Sequence, residues 1–138
     1  MRYDVICYMF ILGFLAHRVS DLALQPKSWA LNKSVPGRKG FTICTIHVLV
    51  YTTCIICSWQ KFDILVYASV FIPHWIIDRY SLANKWLGLI RGRTFASAFA
   101  STDKYREFDV AFTCIVYKDV DETFHLVCLL LTILWFFR

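Results

Sequence analysis

Long apolar runs alternate with short polar segments along the chain, and this alternation determines the predicted architecture. The runs cover about residues 4–24, 41–59, 64–80 and 118–138. A helix that crosses a bilayer needs about 20 mostly apolar residues, and each run comes near that length. The pattern therefore predicts an all-α protein: a four-helix integral membrane bundle that forms one transmembrane domain over residues 1–138.

Two prolines mark where the predicted helices end or bend. Pro26 should end the first span, because the residue before a proline avoids the helical region. Pro73 lies inside the third span and leaves the carbonyl one turn earlier without its usual backbone donor. We expect a neighbouring helix, a side chain or a cavity water to satisfy that carbonyl.

The segment between the third and fourth spans, about residues 82–116, is predicted to lie at the membrane interface. Apolar residues recur at helical spacing from Leu82 to Ile90 beside basic ones, which favours a short interfacial helix. Residues 95–102 are small and mixed, which is typical of a mobile loop. Residues 108–117 are mainly apolar but too short to cross, so we expect a re-entrant or surface piece.

Composition supports a membrane protein rather than an ordinary soluble domain. Of the 138 residues, 58% are apolar and 17% are aromatic, and the mean hydropathy is +0.52. Soluble domains are only about 45–50% apolar. The chain also carries no nucleophile-elbow serine, phosphate-binding glycine loop or paired-cysteine zinc motif.

The net charge of +5 is concentrated in two segments, residues 25–40 and 79–107. Clustered lysine and arginine beside spans mark cytoplasmic loops. The loops after the first and third spans should therefore face the cytoplasm, which places both termini outside a multi-pass protein of the inner (cytoplasmic) membrane. Basic charge also attracts anionic headgroups, so membrane lipids are the expected partners. Neither segment looks like a nucleic-acid groove, so no nucleic-acid partner is expected. The sequence does not decide whether the chain forms a homo-oligomer or binds a protein partner.

Histidine and aspartate recur at a four-residue spacing, which places them on one helix face. Three pairs and one lone histidine lie in or beside apolar runs: His17 with Asp21, His74 with Asp78, Asp121 with His125, and His47. The first and third spans run inward and have His before Asp. The last span runs outward and has Asp before His, so all three place the two residue types in the same order across the membrane. At 1.5 Å per residue, all four histidines lie about 8–10 Å from the inner ends of their spans. The sequence thus predicts a polar His/Asp layer at the cytoplasmic side of the bundle.

Such a layer suits a metal site, because ionisable groups inside a membrane normally face the bundle interior. Imidazole and carboxylate together bind zinc, manganese or iron, and bundles build metal sites from such pairs on facing helices. We predict one or two divalent ions with these candidate ligands: His17, Asp21, His47, His74, Asp78, Asp121 and His125. Any one of the aspartates Asp21, Asp78 and Asp121 could instead act as a catalytic base. The competing interpretation is a set of His–Asp hydrogen bonds that joins the helices.

A few other polar residues are candidates for substrate contact. Gln25 extends the first His/Asp face and could bind substrate or cap the helix end. Arg18 and Arg79 could clamp a phosphate or extend to the lipid headgroups. Tyr51 is expected to pack, and Glu122 points about 100° away from Asp121 on its helix.

These motifs resemble those of a known family. Residues 17–25 are similar to the H-x-x-x-D-F-x-L-Q start of the bacterial and phage membrane proteins of domain-of-unknown-function family 3307, with Leu22 in place of the usual phenylalanine. The later matches are His47, residues 73–78 (H-x-x-x-D) and residues 121–125 (D-Q-x-x-H, with Glu122 for glutamine). That family is in turn similar to predicted membrane-bound metal-dependent hydrolases. This similarity implies that the present chain is also a hydrolase.

Two functions follow as alternatives. The first is a metal-dependent hydrolase acting on a lipid-linked or anionic phosphoester at the cytoplasmic membrane face. The second is a non-enzymatic phage or bacterial membrane protein that binds a partner or alters the bilayer, with a structural His/Asp layer. A proton or metal-ion conductor is less favoured, because few polar residues continue toward the outer face.

Overall fold

A computed structural model describes residues 3–92 and 94–137, which form helices and turns with no strand among them. Helix α1 is followed directly by a π-helical turn, and six further helices succeed it. Their bounds are α1 Tyr3–Arg18, the π turn Val19–Ala23, α2 Lys27–Asn32, α3 Arg38–Trp59, α4 Ile64–Arg79, α5 Leu82–Arg91, α6 Phe95–Ala100 and α7 Arg106–Phe136. The all-α prediction is therefore confirmed.

The four long helices α1, α3, α4 and α7 form a bundle in which each contacts two of the others. Helix α3 lies between α1 and α4, and α7 closes the ring between α4 and α1. The apolar core fills one end of the bundle with Tyr51, Ile55, Trp59, Val66, Leu129 and Ile133. Burying these large side chains together leaves the polar residues of the same helices to meet at the other end.

Within the part of the chain that the structure describes, two segments are long and apolar enough to cross a membrane, Tyr3–Ala23 and Arg38–Trp59. Only 22% of the most apolar stretch of the first and 44% of the second are buried. The core helix of a soluble protein would be mostly buried, so much of this apolar surface faces outward. Helix α4 has 16 residues, fewer than a crossing usually needs.

Pro73 lies inside α4, and its freed carbonyl has the kind of partner that the sequence led us to expect. A proline removes the backbone donor to the carbonyl four residues earlier, which here belongs to Ser69. The Thr132 hydroxyl of α7 donates to that carbonyl at 3.4 Å. The proline therefore adds a polar contact between α4 and α7.

Two local predictions between the third and fourth spans differ from the structure. Residues 95–100 form helix α6 rather than a loop, because Thr94 and Ser97 make a reciprocal capping box at its start. Residues 108–117 do not form a piece of their own, because α7 runs unbroken through them. The ring of Phe95 contacts that of Tyr117 at 5.1 Å between centroids, so α6 rests on this added length of α7.

Candidate metal centre

Four imidazoles meet at the polar end of the bundle. Successive ring centroids lie 5.7 Å apart for His17 and His125, 4.0 Å for His125 and His74, and 5.3 Å for His74 and His47. All four residues are 1–2% exposed. Each comes from a different long helix, so the group exists only in the assembled bundle.

Asp21, His47, His74 and Asp78 form the first ligand group. The Nε2 atom of His47 lies 3.1 Å from Asp21 Oδ1 and 3.2 Å from Asp78 Oδ2. The Nε2 atom of His74 lies 3.2 Å from the same Oδ2 and 3.3 Å from His47 Nε2. A neutral imidazole has a single N–H, so His47 cannot donate to all three neighbours. A shared cation would satisfy these converging lone pairs.

The distances in this first group fit a metal ion. Two ligands at about 2.1 Å from a tetrahedral zinc ion lie about 3.4 Å apart. The four contacts among the nitrogen and oxygen atoms run from 3.1 to 3.3 Å. Imidazole nitrogen and carboxylate oxygen are also the donor types that such ions prefer.

Asp78, Asp121 and His125 form the second ligand group, which shares Asp78 with the first. The Nδ1 atom of His125 donates to the backbone carbonyl of Asp121 at 2.8 Å. A carbonyl only accepts, so Nδ1 carries the proton and Nε2 of the neutral ring has a lone pair. That Nε2 faces Asp78 Oδ1 at 3.6 Å. Metal-ligating histidines are commonly oriented by such a bond to a carbonyl.

Lys33 is a residue of the site that sequence reasoning missed. Its Nζ lies 2.8 Å from Asp78 Oδ1 and 4.0 Å from Asp21 Oδ1, and the residue is 8% exposed. Burial alone would lower the pKa of the ammonium, but Asp78 and Asp21 outweigh it and hold the pKa of Lys33 above its ordinary value. The only sequence signal was its place in a basic loop. Such a loop indicates the cytoplasmic side of the membrane and does not by itself indicate a functional site.

The path of the chain around α2 brings Lys33 to the site. Gly37, with φ of 95°, reverses the chain before α3. A Cβ on Gly40 would lie 1.9 Å from the carbonyl oxygen of Val35, so only glycine lets the loop approach α3 this closely. Arg79 donates to the Val35 carbonyl at 2.8 Å and to the Lys33 carbonyl at 3.4 Å. Arg79 therefore holds the loop and does not line the cavity described below.

His17 and Tyr51 flank the ligand groups without joining them. Among the described residues, His17 is outside both sets of converging ligand atoms. Its ring lies 5.7 Å from Tyr51, edge-on. Tyr51 is 1% exposed, with its ring centroid 3.7 Å from that of His74. Tyr51 thus packs as expected, and it does so against a candidate ligand.

A cavity of about 180 Å³ adjoins the centre between α1, α2 and α7. Asp21, Asp121 and Gln25 are among the residues that line it. Arg18 donates to both oxygens of Glu122, at 2.7 and 2.9 Å. Glu122 thus lies at the cavity and outside the ligand groups. It holds Arg18, one of the two arginines predicted to contact phosphate.

Fold and site together define an all-helical protein with two candidate membrane spans and a buried histidine–aspartate cluster that can hold a metal ion. The sequence profile of one family, described as "Protein of unknown function (DUF3307)", matches residues 9–137. The chain belongs to that family, which confirms this part of the resemblance. Neither a search of curated proteins nor a search of solved structures finds a match.

Proposed function

We propose that the protein is a membrane-embedded, metal-dependent hydrolase acting on a lipid-linked or anionic phosphoester at the cytoplasmic membrane face. The observation that carries this proposal is the convergence of imidazole nitrogens and carboxylate oxygens within 4.8 Å of one another in a buried site.

We further propose that the chain crosses the inner membrane four times, with both termini outside, and the exposed apolar surface supports the part of this proposal that concerns contact with lipid. Large apolar side chains face outward on each of the four bundle helices: Leu15, Leu49, Ile72 and Leu131. Exposed patches of this kind on one molecule mark a surface that meets lipid or protein. Helix α5 exposes Trp86, Leu89 and Ile90, which suits a helix at the interface.

The two ligand groups supply the residues that would hold the ion. When bound, a divalent ion would polarise a phosphoryl oxygen and activate water for attack. Asp121 lies in the second group and also lines the cavity, so its carboxylate is placed to take a proton from an attacking water. Zinc, manganese and iron all suit this donor set.

The cavity provides positive charge for an anionic substrate. Arg18, Lys33 and Lys118 line it together with the acids Asp21, Asp121 and Glu122. With Asp78, which pairs with Lys33, these groups carry four negative and three positive charges when ionised, so a bound divalent ion would leave a net charge of +1 that favours a phosphate. The side chains of Arg18 and Lys118 are 38% and 52% exposed, which places them toward the solvent side. A planar guanidinium there can bind two phosphate oxygens at once.

The test is phosphate release by the detergent-purified protein with zinc or manganese, on p-nitrophenyl phosphate and on phosphatidic acid micelles. Arg18→Gln should raise KM about tenfold, because it removes a charged contact to the phosphate worth about 1.5 kcal/mol. Lys104→Gln, an exposed change outside the cavity, should leave KM unchanged. Asp78→Asn should abolish the activity, and hydrolysis that persists in this variant would show that the reaction occurs elsewhere.

One observation favours the non-enzymatic alternative. Lys33 already neutralises part of the carboxylate charge, so the layer could hold the bundle together without a metal. In that case the purified protein would contain no metal, and substitution of the histidines would lower stability alone. Metal analysis therefore separates the two functions before any substrate is known.

A further inference from the structure

The two oxygens of Asp78 serve different partners. Oδ2 lies 3.2 Å from both His47 Nε2 and His74 Nε2. Oδ1 lies 3.6 Å from His125 Nε2 and 2.8 Å from Lys33 Nζ. The lysine therefore lies on the oxygen that the second ligand group would use, and it leaves the oxygen of the first group free.

An ammonium in this position competes with an ion in the second group. A metal bound to Asp78 Oδ1 would lie about 2.0–2.2 Å from that oxygen. Two cations on one oxygen, within a few ångströms of each other in a buried site, repel strongly. In the first group, Oδ2 carries no such competitor, and Lys33 Nζ stays 4.0 Å from the other carboxylate ligand atom, Asp21 Oδ1.

Charge balance leads to the same arrangement. The three aspartates of the two groups carry three negative charges when ionised, and buried charges must be compensated. One divalent ion and the Lys33 ammonium together compensate all three. A second divalent ion beside Lys33 would leave uncompensated positive charge in the bundle.

We propose that Lys33 takes the place of a second metal ion. The centre holds one divalent cation on Asp21, His47, His74 and Asp78 Oδ2, and the lysine is the fixed cation of the second group. This inference rests on the metal centre of the proposed function, and it decides between the one ion and the two ions that the sequence left open.

The experiment is zinc stoichiometry of the detergent-purified chain by equilibrium dialysis and elemental analysis. The wild type should bind one zinc per chain. Lys33→Met, which replaces the side chain with an unbranched one a single atom shorter and removes its charge, should bind two. Lys27→Met, an exposed change in helix α2, which Lys33 directly follows, should bind one.

Other results would identify which proposal fails. One zinc in both the wild type and Lys33→Met would leave the metal centre standing and overturn the role of the lysine. Two in the wild type would also overturn it. No zinc in any of the three proteins would overturn the metal centre itself.

A second comparison does not depend on the folding of Lys33→Met. In the wild-type background, Asp121→Asn should keep one zinc, because the second group holds the lysine. Asp21→Asn should lower the affinity for zinc at least tenfold. The reverse outcome would place the ion in the second group and overturn the assignment.

Discussion

Asp78 is 3% exposed and contacts one ammonium and three imidazoles, so its charge affects more neighbours than that of any other single residue described in the centre. Its removal would leave Lys33 without its partner at 2.8 Å, and Asp21 lies farther away, at 4.0 Å. An uncompensated buried charge is costly, and breaking a buried pair typically destabilises a protein by about 3–5 kcal/mol.

We therefore expect Asp78→Asn to lower the free energy of unfolding of the metal-free protein by about 3 kcal/mol or more, measured by denaturation in mild detergent. Adding Lys33→Met to Asp78→Asn should recover part of that loss, because it removes the orphaned ammonium. Strictly additive effects would show that the two side chains do not form an energetic pair.

Sequence reasoning found these residues unequally, for physical reasons. His17, His47, His74 and His125 were found because imidazoles in apolar runs are costly unless they meet a partner. Lys33 was missed because lysines in a basic loop are expected wherever the loop faces the cytoplasm. Its contact with Asp78 arises only when the loop folds against the bundle. The residue types therefore indicated the chemistry of the site. Which side chains pair with each other depended on the path of the folded chain.

At the level of elements, the corner between α2 and α3 controls where Lys33 lies. Gly40 is a helical residue, and glycine-to-alanine changes within helices usually stabilise by up to about 1 kcal/mol. Here the added Cβ would lie 1.9 Å from the Val35 carbonyl oxygen, a backbone atom. The corner must open if that position carries a side chain.

Gly40→Ala should therefore destabilise the protein by at least about 2 kcal/mol, against its helix propensity. The matched change is Gly88→Ala in α5, where the new Cβ would meet only a methyl group of Thr94 at 3.2 Å. Gly88→Ala should be neutral or stabilising in the same denaturation assay. Equal effects of the two changes would contradict the close approach at the corner.

The contact between α4 and α7 at Pro73 gives a second test at this scale. Thr132→Val removes the hydroxyl that reaches the Ser69 carbonyl and should cost about 0.5–1.5 kcal/mol. Thr123→Val is the control, because the hydroxyl of Thr123 donates within α7 itself, to Asp119. A loss no larger than that of the control would mean that another group satisfies the carbonyl.

The elements themselves were partly readable from the sequence. Apolar length predicted α3 and α4 closely, and helical spacing predicted α5. The length of α7 was missed because residues 108–117 were judged too short to cross and were treated as a separate piece, although the same helix continues through them. The helix α6 was missed because its capping box uses Thr94 and Ser97, which also occur commonly in loops.

For the whole molecule, the proposed four crossings predict which loops are accessible from each side. In a cysteine-free background, Lys61→Cys between α3 and α4 should react with a membrane-impermeant maleimide on intact cells. Lys104→Cys, between α6 and α7, should react only after permeabilisation. Labelling of both sites from outside would show that α4 does not cross, and the reverse pattern would invert the topology.

The central claim is that buried histidines and aspartates of a folded bundle hold a divalent metal ion. The most direct measurement is the metal content of the detergent-purified protein, compared with His74→Ala and with Ile77→Ala, a buried apolar control in the same helix. We predict stoichiometric metal in the wild type and in Ile77→Ala, and its loss in His74→Ala. Wild-type protein without bound metal, or His74→Ala protein that keeps it, would contradict the claim.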